Sequence, residues 1–349
     1  QRHGGSNFWK IGFPNTGTSV PCVSNHWKLG KRMLQQLIEN AIAGNGCSAE
    51  EAIGLLRRDE GELFAGATQI REAHFGKTVQ LCAIINAKSG KCDMDCAFCS
   101  QSGHASTEIE EYPFIPPAEL ARRIEATIEN HDCRCSVVTS GGKLSGKELR
   151  SLFQTAKTVG AAPLCASLGR LSGEELTELK QAGITRFHHN LESSEAYYPE
   201  ICSTQTWRQR LDTVKAAQAA GLDICSGGLF GLGETWEDRI DLALALRKLA
   251  VDSVPINFLY AHEGTALRDT PPMEAAEALR IIAAYRFLLP RATLRICGGR
   301  THVLGDRQAD LFAAGANGLM TGNYLTVGGS QYETDLAMIQ HLGLQIATY

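Results

Sequence analysis

From residue 79 onward the chain alternates short apolar runs with amphipathic helical stretches. The strand-like runs are VQLCAIINA (79–87), CSVVTS (135–140), PLCASL (163–168), RFHHNL (186–191), LDICSGGL (222–229), SVPINFL (253–259), TLRICG (293–298) and NGLMTG (317–322). Between them lie helix-like segments such as PAELARRIEATIEN (117–130), KELRSLFQTAKTVG, WRQRLDTVKAAQAAG and MEAAEALRIIAAYRFL. Eight such strands, each followed by a helix or the closing tail, predict an α/β fold of the (β/α)8 TIM-barrel type. The span of residues 79–322 is close to the roughly 250 residues usual for that barrel. A doubly wound open sheet is the competing architecture. It is disfavoured by the count of eight and by the lack of a dinucleotide fingerprint after the first strand.

The region before the barrel divides in two. Residues 1–32 are rich in Gly, Ser, Asn and Pro, show no sustained period, and are expected to be an irregular or disordered leader. Residues 33–78 are expected to form N-terminal cap helices. The first starts at Met33, the second is headed by a Ser48–Glu51 capping box, and the third covers about 61–75. The barrel with its C-terminal tail then takes residues 79–349.

Lys plus Arg number 34 against 38 Asp plus Glu, a net charge of −4, and the pI is near 6.2. That balance points away from nucleic-acid and membrane-surface partners. No apolar run has the length of a transmembrane helix, and the polar, glycine-rich start does not resemble an export signal. Twelve cysteines in a chain of this length are too sparse for a disulfide scaffold. A reducing, cytoplasmic setting, with clustered cysteines serving metal or catalysis, is the expectation.

The sharpest motif is KCDMDCAFC, which places Cys92, Cys96 and Cys99 in the loop after the first strand. In a barrel that loop lies on the face where active sites are built. Three thiolates within eight residues suit a four-iron cluster with one iron left open. Structural zinc, with His104 as fourth ligand, is the alternative; its usual spacing is two separated pairs. Three further cysteines fall in strands: Cys135, Cys165 and Cys225. Alone, each reads as a small core residue. Arg295, in the seventh strand, alters that picture, because a guanidinium inside a barrel needs an anion or an unusual role.

The string KSGKCDMDCAFCSQS, with Phe98 before the third cysteine, resembles the radical S-adenosylmethionine superfamily, and within it the biotin synthase family. The strings RCS (134–136), LCASLG, ICSGGLFGLGET and LRICGGR carry the likeness through the barrel. The resemblance implies that Cys92, Cys96 and Cys99 hold a [4Fe–4S] cluster whose open iron chelates S-adenosyl-L-methionine. It implies that Cys135, Cys165, Cys225 and Arg295 hold a sacrificial [2Fe–2S] cluster. The implied reaction is sulfur insertion into dethiobiotin to give biotin. The implied partners are a flavodoxin- or ferredoxin-type electron donor and a second copy of the chain. Cys133 and Cys297 share faces with Cys135 and Arg295 and are packing residues or alternative ligands. Cys22, Cys47, Cys82 and Cys202 carry no metal signal.

By the same resemblance, Gly141 and Gly142 meet the methionine amino group, and glycine there permits close backbone approach. Asn190 and Glu192 contact the cofactor ribose, and Arg210 the methionine carboxylate. His188, Asn190, Asn257 and Thr326 face the substrate. Three positions depart from the family pattern: His188 replaces an Asn, Glu192 an Asp, and Val327 stands where a second threonine often follows Thr326. A histidine lacks the paired donor and acceptor of an amide, so His188 bears on recognition of the ureido ring. A related radical enzyme with another substrate is the rival this leaves.

Overall fold

The computed structural model describes residues 23–349. Three helices lead: α1 (Val23–Ile42), α2 (Ala49–Leu55) and α3 (Glu60–Phe75). Then strands and helices alternate: β1 (Thr78–Lys88), α4 (Pro117–Asn130), β2 (Arg134–Thr139), α5 (Gly146–Val159), β3 (Leu164–Ser167), α6 (Gly173–Gln181) and β4 (Arg186–His188). They continue as α7 (Trp207–Ala219), β5 (Asp223–Cys225), β6 (Gly228–Phe230), α8 (Trp236–Lys248), β7 (Ser253–Phe258), α9 (Ala275–Leu288) and β8 (Thr293–Ile296). Two short helices follow, α10 (Arg300–Leu304) and α11 (Asp310–Ala313), then β9 (Gly318–Thr321), α12 (Tyr332–His341) and β10 (Gln345–Ile346).

The strands pair in parallel in the order β1-β2-β3-β4-β5-β7-β8-β9, and β9 returns to β1, closing a barrel. β5 and β6 are one stave with a break, since both pair with β7 at a constant offset, Cys225 with Ser253 and Gly228 with Ile256. The eight expected strands are therefore the eight staves.

Helix starts are written locally. Ser48–Glu51, Ser145–Glu148 and Ser172–Glu175 form capping boxes at the heads of α2, α5 and α6. Thr206 and Thr235 do the same for α7 and α8 with Gln209 and Asp238. Each box satisfies two otherwise orphaned N–H groups. α9 is buried along nearly its whole length, because α1, α2 and α3 pack over it from outside. A helix apolar on all sides needs such a sandwich.

One boundary differs from expectation. α1 begins at Val23, ten residues before Met33 and inside the stretch taken as irregular. Ser24, Asn25 and Gly30 made that run look turn-like. The rest of the expected leader, residues 1–22, lies outside the described residues. The tail adds β10, which pairs with the foot of β1 through Thr78 and Val79.

The register sets which side chains share a height. A trace leaving β1 at Cys82 and stepping through the paired residues of all eight staves returns to β1 eight residues lower. This is the shear of a (β/α)8 barrel, in which alternate strands supply four inward side chains per layer. Positions at equal height therefore advance by one residue per stave.

Candidate active site

The segment 89–104 follows β1 on the C-terminal face and is folded on itself. The Cys92 N–H donates to the Gln101 carbonyl at 3.0 Å, Gly103 N–H to the Cys92 carbonyl at 2.7 Å, and Cys99 N–H to the Cys96 carbonyl at 3.0 Å. Two acidic side chains anchor it. Asp93 accepts from the Gly142 N–H at 2.7 Å. Asp95 accepts from Ser203 and Thr204, including the Thr204 hydroxyl at 2.7 Å. Cys92, Cys96 and Cys99 all border one cavity of about 640 Å³ that opens at this end of the barrel. Burial raises the pKa of the Cys92 thiol, although the Met94 and Gly141 N–H groups donate to its sulfur. Burial likewise pushes Cys99 up to about 11. Donors aimed at sulfur suit a thiolate that holds iron. No three His, Cys, Asp or Glu side chains among the described residues converge as a single metal ion requires. His104, the nearest fourth ligand for zinc, is exposed and away from the cavity.

Sequence reasoning passed over Cys202. Its sulfur lies 3.8 Å from that of Cys96. The hydrogen bond from Cys96 draws the Cys202 thiol down to about 6, against its burial. The same contact, with burial, raises Cys96. Nothing in the local string around Cys202 marks it; only the folding of residues 201–204 onto the loop does.

Around the mouth, the expected binding residues come together. Gly141 has φ of 102°, a conformation glycine adopts without strain. A Cβ on Gly142 would sit 2.9 Å from the Met94 sulfur and 3.1 Å from the Asp93 carboxylate. Arg210 pairs with Glu192 at 3.0 Å, with both side chains largely buried. It also donates to the Gln205 side chain at 2.9 Å and to the Asn190 carbonyl. Glu192 is held at φ of 69° and accepts from the Asn190 amide at 3.2 Å. Asn190 in turn accepts from the Gly227 N–H at 3.1 Å. Asn257 bridges two staves, donating to the Gly228 carbonyl at 3.1 Å and accepting from the Gly298 N–H at 3.0 Å. Thr326 meets the cysteine loop directly, its hydroxyl 2.7 Å from that of Ser100. All of these except Asp93, Gly227 and Gly228 line the cavity. The Thr139 hydroxyl and His189 Nε2 also belong to cavity-lining residues and have no partner in the protein.

Deeper in, the register builds a layer. Level with Cys82 on β1 stand Cys165 on β3, Cys225 on β5 and Arg295 on β8. These are the alternate staves that a barrel layer uses, and all four residues line the cavity. The intervening staves put Cys135, Phe187, Val254 and Leu319 at the same height. These four belong to the apolar core and none lines the cavity. Cys135 lies in the apolar core and does not line the cavity; on β2, Ser136 and Val138 line it. Strand alternation puts Cys135 and Ser136 on opposite faces of β2.

Above this layer, His188 sits next to Cys225 in register. Burial opposes charge on both groups, but their hydrogen bond outweighs it. The Cys225 thiol is lowered to about 6 and His188 is raised. His188 thus engages a layer sulfur in addition to bordering the cavity. Arg295 donates to the Gln80 carbonyl at 3.1 Å and to the Gln80 side chain at 3.2 Å. Below the layer lie Arg134 and Arg186, the inward residues one step lower on β2 and β4. Arg186 is buried, its Nε and Nη1 have no partner, and its nearest carboxylate, Asp223, is 3.8 Å away. By contrast Arg286, fully buried, is bonded to the Gly315, Pro290 and Ala292 carbonyls and to Asn317. Orphaned guanidinium groups under a layer of thiols fit an anionic, thiolate-held cluster.

Residues 87–246 match the family model described as the radical SAM superfamily, and residues 255–345 that of the biotin and thiamin synthesis associated domain. Two solved structures share the fold. A methylornithine synthase aligns with a TM-score of 0.76 at 19% identity over 89% of this chain and 97% of its own. An FeFe-hydrogenase maturase from Carboxydothermus hydrogenoformans aligns with a TM-score of 0.75 at 19% identity over 93% and 83%. A biotin synthase of Pelotomaculum thermopropionicum is 42% identical over 90% of this chain and all of its own length. A biotin synthase of Desulfovibrio desulfuricans is 54% identical over 85% of this chain and 95% of its own. With that identity sustained over nearly the whole length of both relatives, the chain belongs to the biotin synthase family.

Proposed function

We propose that this chain is a radical S-adenosylmethionine sulfurtransferase that converts dethiobiotin to biotin. The observation that carries the assignment is one cavity bordered at its mouth by Cys92, Cys96 and Cys99 and deeper down by a layer containing Cys165, Cys225 and Arg295. The first set suits a [4Fe–4S] cluster with S-adenosyl-L-methionine, the second a [2Fe–2S] cluster. When bound, the mouth cluster and its cofactor supply a 5′-deoxyadenosyl radical, and the inner cluster supplies sulfur.

The chain's own residues orient and enclose. Gly141 and Gly142 let backbone approach the methionine amino group. Arg210 is placed for its carboxylate, while Asn190 and Glu192 are placed for the ribose hydroxyls. Asn257 and Thr326 border the space for dethiobiotin, and His188 stands between that space and Cys225. Segment 324–328 also lines the cavity and limits entry of water and competing hydrogen donors. It is tied down behind by Arg300 and Asp335, buried and paired at 2.9 Å, with Ser330 donating to Asp335 at 2.7 Å.

A flavodoxin- or ferredoxin-type donor delivering electrons to the mouth cluster, a homodimer and a reducing, cytoplasmic setting belong to the same proposal. The last is supported by eleven described cysteines, all unpaired. No helix among the described residues is long and apolar enough to cross a membrane.

The test is anaerobic turnover of dethiobiotin with reductant and S-adenosyl-L-methionine, with iron and sulfide measured before and after. The expected result is biotin, methionine and 5′-deoxyadenosine, with part of the sulfide consumed. 5′-Deoxyadenosine without biotin, or tightly bound zinc without iron–sulfur absorbance, would overturn it.

A further inference from the structure

We infer that Cys82, and not Cys135, is the third thiolate ligand of the interior cluster, so that its ligand layer is Cys82, Cys165, Cys225 and Arg295. This rests on the iron–sulfur reading proposed above and deepens it.

A barrel layer takes one inward side chain from each alternate stave. The register puts Cys82, Cys165, Cys225 and Arg295 in one such layer, on β1, β3, β5 and β8. All four border the cavity, and none of the three cysteines belongs to the apolar core cluster that holds Cys133 and Cys135. On β2 the inward position one step above this layer is Ser136, paired in register with Cys165. Ser136 therefore occupies the inward place where a cysteine on β2 would have been a ligand.

A shift of one residue would move Cys135 into the cavity, but it would also turn Val137 inward and Ser136 and Val138 into the apolar core. Four parallel pairs between β1 and β2, from Cys82–Arg134 to Ile85–Val137, hold the strand in its present phase. The layer below is also complementary. Arg134 and Arg186 lie one step beneath, and three nitrogens of this pair lack partners: Arg134 Nε, Arg186 Nε and Arg186 Nη1. Thiols lose protons when they bind iron, and a layer of thiolates directly above those guanidinium groups gives them counter-charge.

The test uses the full chain with Cys92, Cys96 and Cys99 all replaced by Ala, so that only interior iron is counted. After anaerobic reconstitution, iron, sulfide, Mössbauer and absorption spectra are measured for this background and for Cys82→Ala, Cys135→Ala and Cys82→Ser added to it. The expected result is about two irons and two sulfides in the background and in Cys135→Ala, and at least a tenfold loss in Cys82→Ala. Cys82→Ser, which keeps the size of the side chain, is expected to retain the fold by circular dichroism and to give weakened binding with an altered Mössbauer signature. Full iron in Cys82→Ala, an unaltered signature in Cys82→Ser, or loss confined to Cys135→Ala would overturn the assignment while leaving the two-cluster reading intact. Interior iron that depends on Cys82, in a wild-type protein that makes no biotin, would instead overturn the function and leave the ligand assignment standing. A background that binds no interior iron would overturn both.

Discussion

Arg210 divides one guanidinium among three acceptors: the Glu192 carboxylate, the Gln205 amide and the Asn190 carbonyl. Both charges of the Arg210–Glu192 pair are largely withdrawn from water. Removing the cation alone leaves a buried carboxylate uncompensated, which costs about 3 kcal/mol or more. Arg210→Ala is therefore expected to lose about that much stability in anaerobic urea unfolding and to bind S-adenosyl-L-methionine at least tenfold more weakly by calorimetry. Arg210→Lys should recover less than half of either loss, because a point-like ammonium cannot reproduce the planar fork. The pairing itself was not legible in the chain. Glu192 and Arg210 were picked out by resemblance to a family, but their contact depends on Glu192 holding φ of 69°, which no local pattern announces. Cys202 makes the same point more sharply: it carries no motif, yet it lies against Cys96.

The helices were more legible than the residues, because a cap is written within four positions. Asp238 at the head of α8 accepts from the Thr235 N–H at 2.9 Å and from its hydroxyl at 2.7 Å. It also accepts from Ser194 at 2.6 Å. It therefore fastens the loop that carries Asn190 and Glu192 to the start of a helix. Its burial favours the neutral acid, but the Ser194 and Thr235 hydrogen bonds outweigh that and lower its pKa. A carboxylate lowered in the folded state adds stability that is present above its unfolded pKa, about 3.9. That stability is lost as pH falls below this value toward the folded one. Asp238→Ala is expected to cost about 1–2 kcal/mol at pH 7 by chemical denaturation, and the gap to the parent protein should narrow below about pH 4. A gap that widened in acid would refute the role. α1 shows where element reading fails. Its first ten residues contain Ser24, Asn25 and Gly30, poor formers whose cost is offset by tertiary packing elsewhere in the helix.

At the scale of the molecule the interior is charged before it is apolar. Arg134, Arg186 and Arg295 line or underlie a layer of thiols in a barrel whose outer faces are packed with Phe187, Val254 and Leu319. Each unpaired guanidinium nitrogen is costly in so dry a place. Stripping iron with an anaerobic chelator is thus expected to lower the thermal midpoint of the whole chain, by roughly 2–4 °C for each kcal/mol of linked binding energy. Differential scanning calorimetry without air measures this. An unchanged midpoint would mean that the cavity charges are balanced by the protein alone.

Strand count, strand order of type, helix caps and the Cys92–Cys96–Cys99 spacing were determined by the sequence itself. Each depends on residues within a few positions of one another, where periodicity and covalent distance settle the geometry. The inner layer was decided only by tertiary structure. Cys135 and Ser136 are neighbours in the chain, and which one faces the cavity depends on the phase of β2 between β1 and β3. A strand repeats every two residues, so a slip of one exchanges its faces. The height at which Cys82 meets Cys165, Cys225 and Arg295 depends further on the shear of the closed barrel, a property of eight strands together that no single strand contains.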